Sequence, residues 1–177
     1  AGSAGCALAN RLSEDGRYTV ALIEAGPRDT SPWIHIPVGY FRTMGNPKMD
    51  WCYETQEDAG IANRSIPWPR GRVLGGSSSI NGLLYVRGQA QDYDGWAQMG
   101  CTGWSWSDVL PYFKRSETWE GVDQTGLRGK SGPLSVQNSR LTRDVVDKWV
   151  DAAVDAGYKR NPDYNGADQE GVGYFQL

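Results

Sequence analysis

The sequence predicts an α/β fold on three observations. A glycine turn runs into a helix, an apolar run ends in a carboxylate, and a double-glycine, triple-serine turn lies between apolar flanks. The glycine turn is Ala1-Gly2-Ser3-Ala4-Gly5. One further glycine ahead of it would complete the G-x-G-x-x-G turn of a Rossmann-like β-α-β unit, whose leading strand is expected to be missing. Cys6 to Leu12 follows with small and apolar residues at helical spacing, and Ser13 to Gly16 supplies polar residues to end the helix. Tyr18-Thr19-Val20-Ala21-Leu22-Ile23 is a continuous apolar run of the kind a buried parallel strand needs. It ends in Glu24, about 20 residues beyond the glycines, where a carboxylate accepts hydrogen bonds from ribose hydroxyls. A helix start behind Gly5 would turn its free N–H groups and positive dipole end toward a pyrophosphate.

The second region is Arg70 to Asp94, RGRVLGGSSSINGLLYVRGQAQDYD. Gly75 and Gly76 carry no Cβ and Ser77, Ser78 and Ser79 are small hydroxyl residues, so this backbone can lie against a large planar ligand and offer it donors. A Gly/Ser connector is the alternative, but connectors rarely carry flanks such as Val73-Leu74 and the strand-like run Leu83 to Val86.

The remaining elements follow in order. Pro27 to Arg70 is expected to be long and irregular, interrupted at Pro27, Pro32, Pro37, Pro47 and Pro67. A short helix is predicted within Asp92 to Trp96. Ser105 and Asp108 form a helix-start pair, but Pro111 removes a hydrogen bond, so regular helix is predicted from near Pro111 to Glu117. Gly121 to Gly132 reads as a surface loop and Gly132 to Gln137 as a strand. Val145, Val146, Trp149, Val150, Ala153 and Val154 share one helical face that Gly157 ends. Residues 158–173 form a polar loop, and Val172 to Leu177 begins another strand, expected to find nothing to pair with.

The net charge of −3 in 177 residues gives no electrostatic reason to expect nucleic acid as a partner. No apolar run approaches the length of a bilayer span, so no integral membrane segment is expected. Cys6, Cys52 and Cys101 have neither metal-ligand spacing nor a disulfide framework, and point to a cytoplasmic protein with peripheral membrane association still allowed. Trp96, Trp104, Trp106 and Trp119 are expected to be core or interface anchors. The single histidine, His35, lies between isoleucines and reads as a packing or surface residue.

The segments AGSAG at 1–5, LIEAGP at 22–27, DWCYETQ at 50–56, GRVLGGSSSINGLLYVRG at 71–88 and DYDGWA…LPYFKRSE at 92–117 resemble the N-terminal part of the glucose–methanol–choline (GMC) oxidoreductases. Within that family they are most similar to choline dehydrogenase-like and alcohol dehydrogenase-like members. The resemblance implies a truncated FAD-binding, Rossmann-like domain over 1–132, with a cofactor-wrapping lid stretch at about 27–70. The beginning of a mixed-sheet substrate-binding domain would follow over 133–177. It implies FAD as cofactor, with Gly2, Ser3 and Gly5 on the pyrophosphate and Glu24 on the ribose. Trp51, Arg72, Val73, Gly76, Ser77, Asn81, Gly82, Leu83 and Leu84 would then lie along the flavin. Some relatives attach FAD through a histidine where Ile80 stands here, and isoleucine forms no such bond, so non-covalent FAD is expected.

The resemblance also implies a small-molecule alcohol as substrate and hydride transfer to the flavin, with an unspecified electron acceptor. The family's catalytic histidine lies far along its C-terminal half, and no residue of this chain is assigned as catalytic. A fragment cut at both ends is expected, poorly soluble and weakly FAD-binding when expressed alone. Two other classes stay open at this stage: a different FAD- or NAD-binding module without alcohol oxidation, and a lyase on the same flavoprotein scaffold.

Overall fold

Gly2 adopts the extended N-cap of helix α1 (Ser3–Ser13), which ends where the Ser13 hydroxyl donates back to the Ala9 carbonyl at 2.9 Å. The helix covers the Cys6–Leu12 stretch its apolar spacing predicts but begins earlier, so Gly5 lies inside it and not ahead of its start; none of its residues is buried, and Leu8 and Leu12 are exposed. The expected parallel strand at 18–23 does not form. The run pairs with no other strand, and Ile23 is 85% exposed. Apolar continuity supplies only propensity. A parallel strand also needs hydrogen-bonded neighbours and cover on both faces, and this run has neither.

The computed structural model describes residues 1–177 and divides into two compact units, Ala1–Leu83 and Leu84–Leu177. In the first, the proline-rich stretch is more regular than expected. Pro32 occupies the first turn of α2 (Pro32–His35), where its missing N–H costs nothing, and α3 (Tyr40–Thr43) follows. β1 (Tyr53–Glu54) pairs antiparallel with β2 (Pro67–Trp68), placing Tyr53 opposite Trp68. The ladder continues past them through an isolated bridge between Asp50 and Gly71. Val73 and Ile80, on either side of the Gly75-Gly76 turn, are buried and anchor it.

In the second unit the Leu84–Val86 part of the predicted strand over 83–86 forms no strand, though the Tyr85 N–H donates to the Gln176 carbonyl at 2.9 Å. Asp92 accepts from the Gln89 N–H at 2.7 Å and caps α4 (Ala90–Gln98), longer than predicted at both ends. Helix α5 (Trp106–Ser116) begins well before Pro111 and runs through it. Its start is fastened twice: the Ser105 N–H donates to Asp108 at 3.1 Å, and the Trp106 N–H to Asp94 of α4 at 2.9 Å. Those two caps outweigh the one bond that Pro111 lacks. Tyr93, Trp96, Trp106 and Phe113 form a contiguous aromatic group between the two helices, with Trp104 joined edge-on to Trp96.

β3 (Glu117–Trp119) pairs in parallel with β4 (Leu134–Val136), the strand predicted at 132–137. α6 (Asp144–Asp155) is also as predicted and buries Val150, but Val145 and Trp149 of the expected apolar face are exposed. The final residues form bridges instead of a strand. Gln137 and Leu177 exchange two N–H···O bonds of 2.9 Å, so the segment expected to lack a partner has one.

Beside the buried Trp119, Val136, Val150 and Val172, this unit buries an ionic network. Glu117 is fully buried and accepts from Arg87 at 2.6 Å and from Arg128 at 2.6 and 3.2 Å. Arg128 also reaches Asp163 and Gln176, and its guanidinium lies 4.0 Å from the Trp119 ring. The loop 121–132, predicted to lie on the surface, therefore sinks its arginine into the interior. Two buried cations face one buried carboxylate, Glu117, and a second, Asp163, that is partly open to solvent.

Candidate functional site

The first unit brings the glycine turn of α1 and the double-glycine turn together. The Gly75 N–H donates to the Ala1 carbonyl at 2.8 Å, and the hydroxyls of Ser3 and Ser78 are hydrogen-bonded. Gly76 sits at φ +58°, and a Cβ there would come within 2.8 Å of the Gly2 Cα. Gly71 is held from the other side: a Cβ on it would lie 2.1 Å from the Gly76 carbonyl oxygen. Real Cβ contacts do not come so close, so three backbone segments meet where only hydrogen fits. The α1 N-terminus beside this junction has no side-chain cap, leaving its first N–H groups for a ligand.

Glu24 ends the apolar run beside the same turn. Its carboxylate lies 2.8 Å from the Ala1 amino group and accepts from the Gly26 N–H at 2.9 Å. A Cβ on Gly5 would lie an ordinary 3.5 Å from the Leu22 side chain. Gly2, Ser3, Gly5 and Glu24 are thus gathered in one place.

The flanking candidates divide. Trp51 is half-exposed, stacks on Tyr53 at a 1° interplanar angle and carries the Arg72 guanidinium 5.4 Å from its centroid. Arg72 donates to the Pro47 carbonyl at 2.9 Å, while its buried Nε has no partner. The Val73 side chain is 1% exposed, so it supports the turn from beneath. The Gly76 N–H is taken by the Val73 carbonyl at 2.7 Å. Ser77 accepts the Gly71 N–H at 3.0 Å and keeps its hydroxyl hydrogen.

Asn81 Oδ1 accepts the Leu83 N–H at 3.0 Å and supports Leu83 at φ +64°, a left-handed conformation that a bulky residue rarely adopts. This bend replaces the strand start predicted at Leu83. Gly82 faces open space and Leu83 is exposed, leaving an apolar rim after the turn; Leu84, the first residue of the second unit, is exposed as well. His35 is exposed, with Nε2 2.6 Å from the Asp29 carbonyl oxygen.

Two residues here escaped the sequence reading, Gly71 and Asp50. Asp50 is 2% exposed and accepts N–H bonds from Gly45 at 2.7 Å and from Cys52 and Arg70 at 2.9 Å. Its sequence signal was the Asp-x-Cys spacing, which suits an Asx turn onto the Cys52 N–H. Burial pushes the Asp50 pKa up, but the N–H groups of Gly45, Cys52, Arg70 and Trp51 outweigh it and hold it below 3.8. A carboxylate depressed on folding stabilises the protein above its unfolded pKa, and that contribution is lost as pH falls through the folded pKa. Asp50→Asn is therefore expected to be less stable than wild type near neutrality, and to lose less further stability below pH 3.8. Urea unfolding across a pH series checks this; parallel curves for the two proteins would contradict it.

Comparison with known proteins gives a consistent picture. Residues 1–177 match the family model described as GMC oxidoreductase. The chain is 49% identical over 172 residues to the oxygen-dependent choline dehydrogenase of Brucella anthropi, covering 97% of this chain and 31% of that protein. It is 46% identical over 175 residues to the oxygen-dependent choline dehydrogenase of Rhizobium johnstonii, covering 99% and 32%. In structure it matches pyridoxine 4-oxidase from Mesorbium loti at a TM-score of 0.89 with 35% identity, over 99% of this chain and 35% of that one. The chain spans 31% and 32% of the length of the two curated relatives.

Proposed function

The chain belongs to the GMC oxidoreductase family, and from that premise we propose that it forms the FAD-binding part of an enzyme that oxidises a small-molecule alcohol to an aldehyde or ketone. The observation that carries this is the junction of Gly2, Gly71 and Gly76 beside an uncapped helix start and the Glu24 carboxylate. A pyrophosphate fits such an N-terminus, and a ribose fits the carboxylate that follows it. Gly2, Ser3 and Gly5 would hold the pyrophosphate, with Glu24 on the adenosine ribose. Trp51, Arg72, Ser77, Asn81, Gly82, Leu83 and Leu84 would line the ring, and Val73 and Gly76 would support the turn beneath it.

FAD supplies, when bound, the acceptor for the hydride removed from the alcohol carbon. This chain's own part is to bind and orient it, to shield one side with the apolar rim, and to offer the Ser77 hydroxyl as a donor. No residue is assigned as the base: His35 is engaged by the Asp29 carbonyl and lies outside the cluster. We assign cofactor binding to 1–132 and the start of the substrate side to 133–177. The compact units divide elsewhere, at 83/84. The net charge of −3 suits neither nucleic acid nor an anionic membrane surface, and no helix is long and apolar enough to cross a membrane. A cytoplasmic location fits the unpaired cysteines.

Ile80 is 2% exposed and has no nucleophilic atom, so the flavin is held non-covalently. Acid precipitation of the holoprotein should leave the yellow colour in the supernatant. Flavin pelleting with the protein would contradict this.

A further inference from the structure

Asp50 is a buried anion without a cation. It makes no ion pair, and its two oxygens accept N–H groups from three separate points of the first unit: Gly45, Cys52 and Arg70. We propose that Asp50 is the positioning residue of the cofactor cradle, fixing the 49–52 and 70–72 segments in one register and so setting Gly71, Ser77 and Gly76 where the flavin dinucleotide is received. The inference rests on the FAD-binding assignment and adds to it a residue that is not among those proposed to touch the cofactor.

The coupling runs through backbone with little slack. Asp50 bridges to Gly71, the Trp51 N–H donates to the Arg70 carbonyl at 2.9 Å, and the Arg72 N–H donates to the Met49 carbonyl at 2.8 Å. Gly71 then donates to the Ser77 hydroxyl and touches the Gly76 carbonyl with only a hydrogen between them. Gly76 in turn touches Gly2. Trp51, with Arg72 over its ring, departs from the same bridge. A shift at Arg70 therefore displaces the ring wall and the pyrophosphate turn together. Charge matters as well as shape. A carboxylate accepts all three N–H bonds, whereas an Asn carboxamide in its place turns its own NH₂ toward one of them.

A purely stabilising role makes a different forecast, and a second aspartate supplies the control. Asp123 also accepts three backbone N–H groups, from Thr125, Gly126 and Arg128, but these close a turn of the other unit. FAD titrations of the intact apoprotein, well below the melting point of every variant, give Kd and the visible circular dichroism of the bound flavin. Asp50→Asn is expected to raise Kd about tenfold or more and to alter the bound-flavin signal. Asp123→Asn is expected to lower Tm with Kd and signal unchanged. Should Asp50→Asn not fold, Asp50→Glu keeps the charge but displaces the acceptors by one methylene, and the same rise in Kd is expected. Unchanged Kd and flavin signal in the folded variant would overturn the inference. Failure of the wild type to bind FAD would instead overturn the functional assignment beneath it.

Discussion

Replacing Glu117 with glutamine is expected to cost about 3–5 kcal/mol of stability, the range for breaking a buried ion pair from one side. Glu117 is fully buried between the guanidinium groups of Arg87 and Arg128 and also accepts the Gly129 N–H at 2.7 Å. Glutamine nearly matches its volume, so the loss is electrostatic: Arg128 would keep only Asp163, which is partly open to solvent, and Arg87 would face no carboxylate. The remaining groups cannot compensate by turning. Arg87 is fixed to the Leu127 carbonyl at 2.7 Å, and Arg128 to Gln176 at 2.9 Å. The control is Glu120→Gln, whose partner Arg140 lies 3.9 Å away on the surface, where such pairs contribute about 0–1 kcal/mol. Urea unfolding of both variants makes the comparison. Equal effects would mean that the buried network is not what holds this unit together.

Gly76→Ala is expected to abolish FAD binding. The left-handed backbone at this position costs an alanine about 1–2 kcal/mol, and its methyl group would meet the Gly2 Cα at 2.8 Å. Either turn must then retreat, and the two turns define the cradle. Gly82→Ala separates binding from folding. Its methyl group would meet nothing within 4 Å and its φ needs no glycine, so the apoprotein should melt within about 0.5 kcal/mol of wild type. Because Gly82 lies on the proposed ring side, the same change should weaken FAD binding while the apoprotein is untouched. Calorimetry of apo- and holoprotein reads both effects. A Gly82→Ala protein with wild-type affinity would place the ring elsewhere.

Much of the cradle was legible in the sequence because its causes are local. The glycines of AGSAG and GGSSS announce turns without Cβ atoms, and α1 and α6 announce themselves by helical spacing. Misreadings came where a local signal needed a distant partner. The apolar run at 18–23 has strand propensity, but no strand lies beside it. Pro111 looked decisive until Asp94, on another helix, supplied the cap that starts α5 early. Arg128 lies in a loop expected at the surface and Glu117 at a predicted helix end, and nothing local joins them to their partners: Arg87 is 30 residues from Glu117 and Gln176 is 48 from Arg128. Asp50 was hidden for the same reason, its Arg70 partner being 20 residues on. Hydrogen bonds between distant chain segments leave no periodicity to read.

Titration of the intact apoprotein with FAD, followed by visible absorbance, reads out whether the glycine junction receives the flavin. A saturable, stoichiometric yellow complex is expected from the wild type, released on acid treatment and lost in Gly76→Ala. A wild type that leaves the flavin spectrum unchanged, or a Gly76→Ala protein that binds as tightly, would contradict it.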